Sequence, residues 1–245
     1  MTTRLDQLLV ARGLAESRAK AKAAIEAGRV TVDGAPARAA SQAVARDAVL
    51  TYADAHRWVG RGALKLDHAL TVWPVQVEGC TVLDVGASTG GFTEVCLERG
   101  AARVYAVDVG SGQMHPRVAA DPRVVNLEHT DARHLTPALI PEPPQLIVCD
   151  ASFIGLAKVL PAALSLAAPV ADLVTLVKPQ FEMEGPNNVG RRGGTPDGER
   201  RAALDRVSDW LEGQGWSVRA TVDSPITGGD GNPEFLLWAQ RPQFR

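Results

Sequence analysis

The sequence predicts an α/β protein, a doubly wound and mostly parallel sheet preceded by a small α+β domain. Three observations carry that prediction. Short apolar runs ("VLDV", "RVYAVD", "QLIVCD", "DLVTLVK") carry an acid or a lysine at or next to their last residue, as strands buried on both faces do at a ligand-binding edge. The first run breaks on glycines and enters a helix ("VLDVGASTGGFTE", residues 82 to 94). The charge is uneven. Residues 1 to 60 hold nine Lys/Arg against six Asp/Glu, and the rest hold seventeen against twenty-two, so a net −2 hides a basic attachment on an acidic body. The expected layout is a domain over residues 1–55, a linker over 56–62 and the main body over 63–245.

In the attachment, Leu5, Leu8 and Leu9 share one helical face and Gly13 ends that helix. Ser17 is placed to cap a second helix, whose Ala21, Ala24 and Ile25 face inward. Arg18, Lys20 and Lys22 crowd the start of that helix, where cations oppose its dipole by a few tenths of a kcal/mol each. A phosphate partner explains this placement better than folding does. Gly28 stops the helix, and "RVTVDG" is an alternating strand ending in an Asp-Gly turn. In the linker, Gly60 and Gly62 allow a hinge, and Trp58 suits either an interdomain seam or a base stack.

In the main body, Gly86, Gly90 and Gly91 permit a tight turn and close backbone approach to a ligand, and Ser88 or Thr89 can cap the next helix. No Gly-Lys-Ser/Thr follows, and Ser88 stands near where a dinucleotide loop needs its second glycine, so a pyrophosphate cradle is disfavoured. Asp84 suits a cation or amine. Asp108, twenty-two residues after Gly86, ends the next run and can accept both ribose hydroxyls of an adenosine. Asp131 can reach an adenine amino group or cap the "ARHL" turn. Asp150 ends a fourth run. Four such acids on one edge suit an adenosine carrying a positive group, as in S-adenosylmethionine, and this spacing resembles the Rossmann-like methyltransferases from about residue 60 onward.

Lys65 opens a helix, Asp150 and Lys178 end apolar runs, and Glu234 begins the last one, "EFLLWAQ". A lysine ending "LVTLV" needs a carboxylate partner, and Asp150 and Glu234 are available. This Lys-Asp-Lys-Glu order resembles the FtsJ-type ribose 2′-O-methyltransferases. The attachment resembles the alpha-L RNA-binding motif of ribosomal proteins and pseudouridine synthases. Together they resemble the TlyA group of ribosomal RNA methyltransferases, also called haemolysin A-like proteins. The resemblance implies S-adenosylmethionine as cofactor and ribosomal RNA or ribosomal subunits as partner, with cytidine as target. It makes Lys178 the base or the cation at the reacting oxygen, with Lys65, Asp150 and Glu234 orienting it and the ribose. It also places Arg4, Arg18, Lys20, Lys22 and Arg29 on RNA phosphates.

The irregular stretch at residues 184 to 201 is expected to lie over the crevice and meet RNA through Arg191 and Arg192, unless it is a solvated loop. "DASF" at residues 150–153 lacks the prolines of amine methyltransferases, and strand alternation turns Cys149 away from Asp150, so amine and cytosine-carbon methylation are demoted. Three scattered cysteines suit reduced thiols in a cytoplasmic protein, with no disulfide framework and no metal site. No apolar leader appears, and the longest uncharged apolar stretch, residues 159–171 with two prolines, falls short of the roughly 20 residues a spanning helix needs. A membrane partner is not expected. No interface stripe stands out, so the sequence leans toward a monomer and leaves oligomeric state open. An inactive RNA-binding assembly factor and a cytolysin are the rival functions.

Overall fold

A computed structural model describes residues 2–182, 196–228 and 231–242. The chain divides into two units, residues 1–57 and 58–245. The first contains β1 (Thr2–Arg4), α1 (Leu5–Ala11), α2 (Arg18–Glu26), β2 (Val30–Val32), β3 (Ala35–Pro36), β4 (Ala43–Ala45) and β5 (Leu50–Tyr52). The Ser17 hydroxyl caps α2 by accepting from the Lys20 amide at 3.2 Å, and Ala21, Ala24 and Ile25 are buried, as their spacing predicts. Asp33 (φ 51°) and Gly34 (φ 82°) form the turn from β2 to β3. Sequence reasoning did not anticipate the pairing of β1 with β4. Both strands are three residues long, too short to show a period. Leu5, Leu9, Ala24, Ile25, Val30 and Val44 belong to a core of the unit's own.

The second unit runs through α3 (Gly62–Val72), β6 (Thr81–Val85), α4 (Gly91–Glu98), β7 (Arg103–Val107), α5 (Pro116–Ala119), β8 (Val124–Leu127), β9 (Leu146–Cys149), α6 (Leu156–Val159), α7 (Pro161–Leu166) and β10 (Ala171–Val177). It ends with α8 (Pro179–Glu182), α9 (Asp197–Gly213), β11 (Ser217–Asp223) and β12 (Phe235–Arg241). Its seven-stranded sheet has the order β11-β12-β10-β9-β6-β7-β8. Only β12 runs against the others. Alternate residues along β6 and β9 feed two cores: Leu83, Val85 and Ile147 into one, Val82, Leu146 and Val148 into the other. Strand order reverses between β6 and β9, which opens the crevice of a doubly wound sheet at their carboxyl ends.

Two local expectations are corrected. Trp58 is 3% exposed within the second unit's core, and the Glu94 carboxylate accepts the Val59 amide at 2.7 Å. Residues 58–62 are therefore packed elements of that unit rather than linker. At the start of α4, the cap is Gly90 in the left-handed region (φ 88°), and neither Ser88 nor Thr89 caps the helix.

Candidate active site

Two neighbouring cavities stand at the β6/β9 crevice. The first, about 350 Å³, is lined by all four residues of the expected set, Lys65, Asp150, Lys178 and Glu234, and by Gly86, Ser88, Thr89 and Gly91 of the glycine turn. The second, about 480 Å³, is lined by Asp108 and Asp131. They share Gly86, Ser88, Asp150, Ser152 and Phe153, so together they can take a ligand with two different ends. Gly86 (φ 84°) has to be glycine, because a Cβ there would stand 3.0 Å from the Ala151 backbone.

The four residues form two closed pairs. Lys65 Nζ donates to Glu234 Oε2 at 2.6 Å, and Lys178 Nζ lies 2.6 Å from Asp150 Oδ1. Lys178 Nζ also lies 2.7 Å from Ser152 Oγ and donates to the Asp150 carbonyl at 3.3 Å. Both lysines are 6% exposed and Glu234 3%, so each charge depends on its partner. Glu234 begins its strand, whereas Asp150 and Lys178 follow theirs. The antiparallel register sets Phe235 opposite Val177 and so brings Glu234 to the same edge as Lys178.

The four acids expected to hold a cofactor separate. The Asp108 carboxylate accepts the Ser88 amide at 2.8 Å and the Gly110 amide at 2.7 Å, leaving lone pairs toward the second cavity. Asp131 lines that cavity and also caps the 132–134 turn, where the Arg133 guanidinium holds its carboxyl at about 2. The capping reading of Asp131 is therefore seen directly, and its place on the cavity wall keeps it among the residues proposed for the cofactor. Asp84 is corrected: it lines neither cavity, is 0% exposed, and accepts from the Thr93 hydroxyl of α4 at 2.6 Å. Burial raises its carboxyl to about 7. Cys149 sits in the core, where burial pushes its thiol to about 12, far from an activated nucleophile. Cys96 is buried too, but Cys80 is half-buried.

Sequence reasoning passed over Ser152, Phe153, Gln180 and Phe181, which lie near the tetrad in the chain and also line the first cavity. Phe153 gives the strongest local signal. It is 85% exposed, holds φ at 66°, and its ring lies 5.3 Å from that of Phe181.

On the first unit, Arg4, Arg18 and Lys22 line a depression with Arg38, which sequence reasoning missed. Arg4 and Arg18 share buried Asp6 at 3.0 and 2.8 Å and hold its carboxyl at about 2. Lys20 and Arg29 do not line that depression. Arg191 and Arg192 lie outside the described residues.

Comparison with known proteins assigns the chain to a family. Residues 58–241 match the FtsJ-like methyltransferase family and residues 3–50 match the S4 domain. A Mycobacterium tuberculosis protein, the 16S/23S rRNA (cytidine-2′-O)-methyltransferase TlyA, is 48% identical across 96% of this chain and 88% of its own length. The chain belongs to the TlyA family of FtsJ-like methyltransferases. Another relative, Hemolysin A of Brachyspira hyodysenteriae, is 35% identical over 95% of this chain and 98% of its own. A solved hemolysin-named protein from Streptococcus thermophilus superposes with a TM-score of 0.76 at 36% identity, covering 98% of this chain and 88% of that one. In this TlyA-family chain, no helix among the described residues is long and apolar enough to cross a membrane. No metal-holding cluster occurs among those residues either.

Proposed function

We propose that this protein uses S-adenosylmethionine to methylate the 2′-hydroxyl of a cytidine ribose in ribosomal RNA. One observation carries the reading: two buried lysine–carboxylate pairs share a single cavity with a glycine turn at the sheet's switch point. The residues present fit the cofactor. Gly86 leaves a cradle that a Cβ would fill, Asp108 keeps lone pairs for ribose hydroxyls, and the two cavities together accommodate an adenosine and its charged arm. When bound, the cofactor supplies a methyl carbon on a sulfonium, ready for in-line displacement.

The chain's own residues do the rest. Lys178 is the cation that would meet the attacking oxygen, and its carbonyl and carboxylate partners accept only, as suits an ammonium. That cation stabilises the oxygen as its proton leaves. The Lys65–Glu234 pair lines the same cavity and keeps its part of the lining fixed, so the ribose is held rather than searched for. At the rim, the exposed Phe153 ring offers a face for an unstacked base. The basic depression around Arg4, Arg18, Lys22 and Arg38 supplies phosphate contacts that position without reading sequence. Lys20, Arg29, Arg191 and Arg192 are proposed to add to them. The name shared with hemolysins does not favour a cytolysin here; two adjoining cavities lined by the lysine–carboxylate pairs and the glycine turn support the methyltransferase reading instead. Purified protein incubated with methyl-labelled cofactor and ribosomal subunits is expected to leave label on the RNA; label on protein alone, or none, contradicts the proposal.

A further inference from the structure

Within the first cavity, Gln180 is a polar side chain with no assigned partner. It lies two residues after Lys178 on α8, a helix that begins on Pro179, and is 8% exposed. Its Oε1 is buried without a hydrogen-bond partner although the side chain lines the cavity. Buried amide oxygens in folded proteins are almost always paired, because an unpaired one forfeits its hydration for nothing. An orphan acceptor on a cavity wall is therefore a place for a donor, supplied by a ligand or by a water that the ligand displaces.

The position selects which ligand. Gln180 lines the first cavity and not the second, where Asp108 and Asp131 stand. Lys178, the group proposed to meet the acceptor ribose, and Phe181 line the same cavity. Within an RNA chain, phosphate oxygens and the ribose ring oxygen only accept hydrogen bonds, and the reacting 2′-hydroxyl is assigned to Lys178. Besides the hydroxyls of neighbouring riboses and the cofactor's amino group, the donor that such a ligand brings is the exocyclic amino group of its base. We infer that the Gln180 amide reads the target base, with Oε1 accepting from an exocyclic amino group. The neighbouring Nε2 then faces the adjacent ring nitrogen, the two-point pattern by which a glutamine amide pairs with an amino-bearing base edge. Cytosine presents amino donor and ring acceptor side by side. With the amide held as it stands, Oε1 inward, uracil presents the reverse and would leave the oxygen facing an oxygen. A neutral amide does this without adding charge beside the two ion pairs. The inference deepens, and rests on, the reading of the site as a ribose methyltransferase.

The test uses the full-length protein and an RNA containing its methylated position, prepared with cytidine, uridine or 2-pyrimidinone riboside there. The last of these lacks only the exocyclic amino group. Wild-type protein is compared with Gln180→Met, which keeps length and loses the amide, and Gln180→Glu, which keeps an acceptor. Wild type is expected to lose about ten- to a hundredfold in kcat/KM on 2-pyrimidinone and on uridine. Gln180→Met is expected to begin at that lower level on cytidine and to lose little more on either analogue, with cofactor Kd unchanged. Gln180→Glu is expected to keep discriminating against 2-pyrimidinone, and it carries the test if Gln180→Met does not fold. Full cytidine preference in Gln180→Met, or none in wild type, overturns the inference while leaving ribose methylation standing. Wild-type protein that methylates none of the RNAs, or labels a base, overturns the ribose reading and the inference with it.

Discussion

In the first unit, the Arg18 side chain is 58% exposed and rests on one carboxylate, Asp6, which it shares with Arg4. In the second, the Lys65 and Lys178 side chains are each 7% exposed and each is closed onto its own carboxylate at 2.6 Å. Both regions gather cations, for opposite reasons. Exposed guanidinium groups keep their hydration and remain free to trade an acid for a phosphate, which under the proposed function would serve affinity. Buried ammonium groups have given up water, and only a fixed geometry offsets that loss, which under the same proposal would serve chemistry. The contrast also says where damage should be severe.

The largest effect is expected at the reacting oxygen. Lys178→Ala should lower the single-turnover rate of methyl transfer by roughly 10²–10⁴-fold while cofactor affinity holds. An equal fall in cofactor binding would move Lys178 from chemistry to binding. Next comes the cost of orphaning a buried charge. Lys65→Met alone should destabilise the second unit by about 3–5 kcal/mol in urea titration, and the double variant Lys65→Met/Glu234→Gln by less. If the double variant proves the less stable, the pair is not the closed ion pair described above.

Asp84 contributes a third, pH-dependent effect. Burial raises its folded carboxyl from an ordinary 3.8 to about 7. The folded state therefore holds the proton more tightly than the unfolded state. Its contribution is fully present below about 4 and is lost as pH rises through about 7, a loss on the order of a few kcal/mol. Asp84→Asn should remove this term, so its stability relative to wild type should improve between pH 4 and pH 8. A constant difference across that window would show that Asp84 is not protonated in the fold. The smallest effect belongs to the exposed face. Arg18→Ala or Arg38→Ala should weaken RNA binding a few-fold and reduce the salt slope by about one each, whereas a substitution at Leu8, in the first unit's core, should act through stability instead.

The same contrast explains what the sequence made legible. The tetrad could be read because a doubly wound sheet sends successive strand ends to one edge, so Asp150 and Lys178 needed only their apolar runs to be placed there. Glu234 was legible as a carboxylate at a strand terminus, but its meeting with Lys65 depends on β12 running antiparallel, which no local pattern shows. Asp84 misled for a related reason. As the acid just before the glycine turn it looked like a ligand-facing group, and only the packing of α4 shows it turned to Thr93. Gln180 and Phe153 carried no periodic signal. One became visible through an unpartnered atom and the other through an exposed ring in the left-handed region. On the first unit, Ser17, Ala21, Ala24 and Ile25 announced their helix because cap and period agreed, while Arg38 lies between strands where no pattern marks it.

The central claim is that the buried pairs deliver a methyl group to a ribose oxygen rather than to a base. The most direct measurement is alkaline hydrolysis of ribosomal RNA labelled by the purified protein from methyl-labelled S-adenosylmethionine. A methylated 2′-oxygen cannot attack the neighbouring phosphate, so the account predicts label in an alkali-resistant dinucleotide, and none when Lys178→Ala is used. Label released as a mononucleotide, marking a methylated base, would contradict it.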